Sequence, residues 1–175
     1  GLTARVPAPW NILPTTPSNL GGVIAVGGTG YLSNYMYNAS SRGPVKWDDV
    51  DPFNDWPYSP GVGLVKPDIS APGVNVNSTT IGGNYSGDTW SGTSMACPHV
   101  AGLAALMLEK NPSLSPAGLD SIMELNALDL GAAGKDNDYG AGRIDAYTIV
   151  MATPTDQTED IVQSGILPDP DGDAI

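Results

Sequence analysis

The sequence predicts an α/β fold, and three observations carry that prediction. Gly22-Val-Ile-Ala-Val-Gly27 is a short apolar run between glycines, the form a strand takes when both of its faces are buried in a parallel sheet. Between Ser94 and Lys110, residues Val100, Leu103, Ala104, Met107 and Leu108 fall at i, i+3, i+4, i+7 and i+8, one face of a helix that Asn111-Pro112 ends. Ser115 followed by Pro116 is a second helix start, an N-cap with proline at the first helical position.

The elements follow in order. Residues 1 to 22 read as irregular chain, because Pro7, Pro9, Pro14 and Pro17 prevent long regular elements. The glycine-bounded run at 22–27 is the first strand. Residues 45 to 65 read as a surface insertion, with Asp48, Asp49, Asp51 and Asp55 among Trp47, Phe53 and Trp56. Asp68-Ile-Ser-Ala-Pro-Gly73 is expected to be a turn, and the alternation in Val74-Asn-Val-Asn-Ser-Thr79 a second strand. The helix from Ser94 has small or apolar residues on its other faces too, which predicts burial on several sides. Leu119, Ile122 and Met123 continue the second helix to about Leu128. Tyr139-Gly-Ala-Gly-Arg-Ile-Asp145 is a glycine-rich turn into an apolar segment ending near Met151. From 152 to 175 the chain carries six acids and no base, a linker or tail beyond a single domain over 1–151.

Composition narrows the function classes. With 41% hydrophobic residues the 175-residue chain can bury one substantial core. Seven basic against nineteen acidic side chains give a net charge of -12, which repels nucleic acid and anionic membranes. No run of eighteen apolar residues is present, and the one cysteine cannot make an internal disulfide. The acidic balance suits an extracellular or salt-adapted protein.

The chemistry concentrates in Trp90-Ser-Gly-Thr-Ser-Met-Ala-Cys-Pro-His-Val-Ala-Gly102, which holds the only cysteine and the only histidine. Ser94 opens the helix there, so its hydroxyl stands beside free backbone amides able to stabilise an oxyanion. His99 is no partner for it. At about 100° per residue, five residues turn it roughly 140° from the serine and more than a turn along the axis. It is expected instead to be packed and bonded to a nearby carbonyl. Pro98 removes the amide that would bond to the Ser94 carbonyl, and Cys97 and Met95 are expected to be buried packing residues. The nucleophile elbow of α/β-hydrolases does not fit: it needs glycine two residues after the serine and a later histidine, where this chain has Ala96 and none. A serine that merely caps a helix is the bland alternative.

The longer string argues against that alternative. Gly92-Thr-Ser-Met-Ala-Cys-Pro-His-Val-Ala-Gly102 resembles the nucleophile-serine block of the subtilisin-like serine peptidases, more closely than the related sedolisin type. Val23-Ile-Ala-Val-Gly27, Ser40-Ser-Arg-Gly-Pro44, Lys66-Pro-Asp-Ile-Ser-Ala-Pro-Gly73 and Tyr139-Gly-Ala-Gly-Arg-Ile-Asp-Ala146 resemble that family's downstream blocks, in the family's order. The resemblance covers about residues 20 to 150. It implies a three-layer α/β/α fold with a mostly parallel sheet, Ser94 as catalytic nucleophile, and hydrolysis of protein or peptide substrates through an acyl-enzyme.

The family's catalytic Asp, His and oxyanion-hole Asn precede the VIAVG-like strand, and this chain has no histidine before His99. Asn11 and Asn19 lack the glycine-flanked context of the Asn block. The chain is therefore expected to be the C-terminal half of the peptidase domain, inert alone, with an N-terminal segment or companion chain supplying those three groups. A non-catalytic scaffold that keeps the fold is the competing class. The resemblance requires no cofactor for the chemistry. A structural calcium stays open as a third reading, prompted by Asp169-Pro-Asp171-Gly172-Asp173, but an EF-hand loop needs glycine where Ala174 stands. The acids at 48–55 read more simply as a solvated face. Asn38-Ala-Ser40, Asn77-Ser-Thr79 and Asn84-Tyr-Ser86 match the glycosylation triplet and are assigned no role.

Overall fold

A computed structural model describes residues 23–30, 34–45 and 65–156. Residues 46–64 of the insertion expected at 45–65, the first 22 residues and the acidic stretch after Asp156 lie outside the described residues. The order is β1 (Val26–Thr29), β2 (Ile69–Pro72), β3 (Thr79–Thr80), β4 (Asn84–Tyr85), α1 (Thr93–Lys110), α2 (Pro116–Leu125) and α3 (Ala146–Ala152). Parallel β1 and β2 pair from Val26↔Ile69 to Thr29↔Pro72, and α1 packs on both. The architecture is the α/β fold that the sequence predicts.

The pairing beyond β2 lengthens the sheet without forming a named strand. Ser70 N donates to Gly142 O at 2.8 Å and Ile144 N to Ser70 O at 2.9 Å, a parallel bridge between Ser70 and Arg143. Arg143 in turn exchanges backbone bonds with Leu128 at 2.8 and 2.9 Å. Glycine is required here, since a Cβ on Gly142 would stand 2.2 Å from the Leu128 carbonyl oxygen and one on Gly140 2.4 Å from that of Asp68. The core joins Val26, Ile69 and Ala71 from the strands to Ala96, Val100, Leu103 and Met107 from α1, Met123 from α2 and Ile149 from α3.

Four features differ from the sequence expectation, each for a physical reason. The first strand begins at Val26, because the Ala25 amide donates to the Asp68 carboxylate at 2.7 Å and the ladder starts one residue later. Asp68–Gly73 is not a turn: Ile69–Pro72 is the buried strand β2, and Asp68 is there as a charge. The alternating segment after it runs into strand β3, but outside the parallel sheet, as one arm of a small antiparallel ribbon bridged at Val76↔Trp90 and paired at Thr79↔Tyr85 and Thr80↔Asn84. The Ser115 cap holds as expected, its hydroxyl accepting from Gly118 N at 3.1 Å, while α2 stops at Leu125 because Leu128 must reach Arg143. The apolar segment after Asp145 is helix α3, capped by that aspartate through Thr148 N at 3.0 Å.

Among the described residues, whole charged side chains are buried at one place. Lys66 and Asp68 are 4% and 5% exposed, and the ammonium lies 2.6 Å from both carboxylate oxygens. Lys135 joins Asp68 at 3.3 Å and also binds Glu124. Burial works against the charge on Lys135, but the hydrogen bond to Glu124 and the charge of Asp68 outweigh it and hold its ammonium above the usual lysine range. Asp120 has no such cover. One of its oxygens is buried without a hydrogen-bond partner. Burial first, then the charges of Glu124 and Asp68, push its pKa from 3.8 up to about 6, against the opposing pull of Lys135 and Lys66.

A raised carboxyl pKa means that the folded protein binds this proton more tightly than the unfolded chain. The protonated form is the comfortable one, so the site costs stability progressively as pH rises from about 4 to 6 and costs most above that window. Asp120→Asn is therefore expected to stabilise the protein by about 1–2 kcal/mol near pH 8, a value discounted for the partial solvent access of the group, and the gain should shrink as pH falls toward 4. Urea midpoints measured across that range check the sign.

Candidate active site

The site is built at the N-terminus of α1. Gly73, the residue after β2, donates its amide to Thr29 O at 2.8 Å and accepts from Gly92 N at 2.7 Å. That pair of bonds anchors the start of the helix to the carboxyl ends of both parallel strands, where ligand sites of open α/β sheets lie. Close approach is required: a Cβ on Gly73 would meet Gly92 O at 2.8 Å and Gly28 Cα at 3.2 Å.

Gly92 is the N-cap and makes no side-chain cap bond, and Met95 N and Ala96 N donate to its carbonyl at 3.0 and 3.4 Å. Ser94 is thus the second residue of the helix, not its cap. Its side chain is exposed and has no hydrogen bond to the described residues, and its amide points out of the first turn without an intrahelical acceptor. The capping role that would have made this serine merely structural is taken by another residue.

Ser94 opens on a cleft of about 570 Å³ whose walls include Ile24, Val26, Cys97, Pro98 and Ala101. The walls are mostly apolar, the lining that takes hydrophobic groups out of water. Two sequence expectations change at this point. Cys97 is exposed in the cleft rather than buried, because one helical turn beyond Ser94 it faces the same side. His99 does bond a backbone carbonyl, with Nδ1 2.8 Å from Met95 O, but it is exposed rather than packed.

His99 is also tied back onto its own helix. One ring nitrogen is engaged within the helix, and the chain holds no second histidine. His99→Ala should leave the reactivity of Ser94 unchanged and shift stability by less than about 1 kcal/mol, the worth of one exposed hydrogen bond. Thermal melting, read alongside the rate of serine labelling, checks both halves.

The exposed side of α1 was not visible as such in the sequence. Ala101, Gly102 and Ala105 are exposed, as are Leu106 at 55% and Leu108 at 37%. The predicted burial on several sides is met among the described residues only on the face toward β1, β2 and α3. No group of three or more His, Cys, Asp or Glu residues able to hold a metal ion occurs among the described residues, and none of their helices is long and apolar enough to cross a membrane.

The chain is 34% identical over 140 residues to bacillopeptidase F of Bacillus subtilis (strain 168), an alignment covering 78% of this chain and 9% of that protein. It is 40% identical over 126 residues to subtilisin BL of Lederbergia lenta, covering 71% of this chain and 44% of the other. Among solved structures, the Clostridium perfringens CspB protease superposes with a TM-score of 0.59 at 30% identity, over 77% of this chain and 27% of that one. The chain thus spans less than half the length of each of these relatives. The sequence model of the Subtilase family matches residues 9–142, from before β1 to the residue ahead of the Ser70↔Arg143 bridge, and this chain belongs to the subtilase family.

Proposed function

We propose that this chain carries the nucleophile of a serine endopeptidase. The observation that supports this most is the state of Ser94: exposed in an apolar cleft, relieved of capping duty by Gly92, and set on a helix N-terminus with its own amide unbonded. Ser94 Oγ attacks the scissile carbonyl, its proton passes to a base and from there to the leaving amine, and water then releases the acyl group from the serine. The Ser94 amide is one donor to the oxyanion, strengthened by the positive end of α1.

The base does not come from this sequence. His99 is unsuited, so the histidine, the aspartate that orients it and the asparagine that completes the oxyanion hole belong to a preceding segment of the same peptidase or to a companion chain. The uncovered apolar side of α1 supports that reading, since a helix with small and apolar residues all round is a helix meant for burial. Substrates are proteins or peptides, no cofactor enters the chemistry, and the working compartment is extracellular. A scaffold that has kept the fold without the reaction is the alternative, favoured by the lack of any hydrogen-bond partner for the Ser94 hydroxyl among the described residues.

Intact-mass spectrometry of the native preparation after fluorophosphonate treatment decides between them. One adduct on Ser94, with a second polypeptide or an upstream segment in the same species, is the expected result. A complete assembly that takes no label on Ser94 leaves the scaffold.

A further inference from the structure

The antiparallel ribbon between Val76 and Trp90 has no part in the core. Val76 N donates to Trp90 O at 2.8 Å, Ser86 N to Ser78 O at 2.8 Å and Ser78 N to Ser86 Oγ at 2.9 Å, and Gly87 N closes on Asn77 Oδ1 at 3.0 Å. Gly82 and Gly83, at φ 89° and 77°, supply the turn that returns the chain after Ile81. The backbone of the arm is therefore satisfied from within. Two of its large side chains are left uncovered. Ile81 at the tip is 101% exposed and Tyr85, opposite Thr79, is 72% exposed.

Two further facts indicate what these side chains face. The ribbon leaves the core after Gly73 and returns at Gly92, the two residues joined by the 2.7 Å bond that sets the start of α1, so its base and Ser94 share one anchor. In a chain of net charge -12, the fifteen residues 76–90 hold a single charged side chain, Asp88. An arm with one charge and an apolar tip, anchored beside Ser94, is suited to a polypeptide lying across the site rather than to water or to a charged partner.

We propose that the ribbon is a substrate-binding arm, in which Ile81 and Tyr85 contact apolar side chains of a polypeptide substrate well away from the bond being cut; this rests on the reading of Ser94 as nucleophile. Five residues of extended chain separate Val76 from Ile81, a reach of about 17 Å, which an extended substrate spans with about five residues of its own. The arm thus rewards long apolar substrates and is out of reach of short ones.

The test compares the parent peptidase with its Ile81→Ser and Tyr85→Ser variants on synthetic peptides of about four and about twelve residues, the longer carrying leucine or serine at the distal positions. Both side chains are exposed, so neither change disturbs folding. The preference in kcat/KM for the long leucine peptide over the short one should fall about tenfold in the variants, with the loss in KM. Binding of the long peptide to the Ser94→Ala form, followed by fluorescence anisotropy, should weaken by a similar factor. An unchanged preference while Ser94 still takes a fluorophosphonate overturns the arm, as does a variant whose only effect is a change in oligomeric mass, which would assign the tip to a second copy. A parent enzyme whose Ser94 takes no label fails earlier, at the peptidase reading, and removes the basis for the arm with it.

Discussion

Ser94→Ala is expected to abolish both fluorophosphonate labelling and peptide hydrolysis by the assembled peptidase, lowering kcat on the order of 10⁶-fold, the loss that removal of the nucleophile causes in a subtilisin. Stability should move by less than about 0.5 kcal/mol, because the side chain is exposed, caps nothing and bonds no described residue. That separation is the point of the experiment. Most substitutions that silence an enzyme also weaken its fold, whereas here the hydroxyl is free of structural work. Unchanged melting together with complete loss of labelling assigns the chemistry to Ser94. Residual labelling at another residue of the variant would move the nucleophile elsewhere.

Asp68→Ala should have the largest effect on stability, a loss of about 3–5 kcal/mol. Asp68 accepts the Ala25 amide at 2.7 Å, holds the 4%-exposed Lys66 by both oxygens and meets Lys135 at 3.3 Å. Removing it leaves an ammonium buried with no counter-ion and strands the amide at the head of β1. Because the loss is desolvation left uncompensated, the double replacement Lys66→Met with Asp68→Ala should be far milder than the single one. A double-mutant cycle in urea measures this directly. Additive losses would mean that the two residues act independently, contrary to their geometry.

How much of this was legible in the sequence depends on whether neighbours along the chain or neighbours in space decide each residue's role. The two long helices were legible, because Ser115, Pro116 and the 3.6-residue spacing act locally. The block around Ser94 was legible for the same reason. Asp68 was not: flanked by Pro67 and near Pro72 it reads as a turn former, and besides the nearby Lys66 its partners Ala25 and Lys135 lie 43 and 67 residues away. The alternation of Val74–Thr79 reads as a strand, and the segment does run into β3, but in a separate two-stranded sheet, since alternation reports a pleated segment and not the sheet to which it belongs. Cys97 reads as buried because its neighbours are apolar, yet at one turn from Ser94 it shares the exposed side of the helix. Nothing in the local pattern distinguishes a face covered by this chain from one left open to another.

The Gly142 contact has a consequence for biosynthesis. β2 is bordered on one side by β1, made some forty residues before it, and on the other by Gly142 to Ile144, which leave the ribosome some seventy residues after Ser70. At synthesis rates of about 5–20 residues per second, that side of β2 stays an unpaired edge for roughly 4–14 s. An open parallel edge of apolar residues is a template for association with another nascent chain. The passage of the glycine-flanked bridge out of the exit tunnel is therefore the event that ends the hazard. Any change that delays it, whether a slow stretch of translation or a bulkier residue at Gly142, should appear as lost soluble yield before it appears as lost activity.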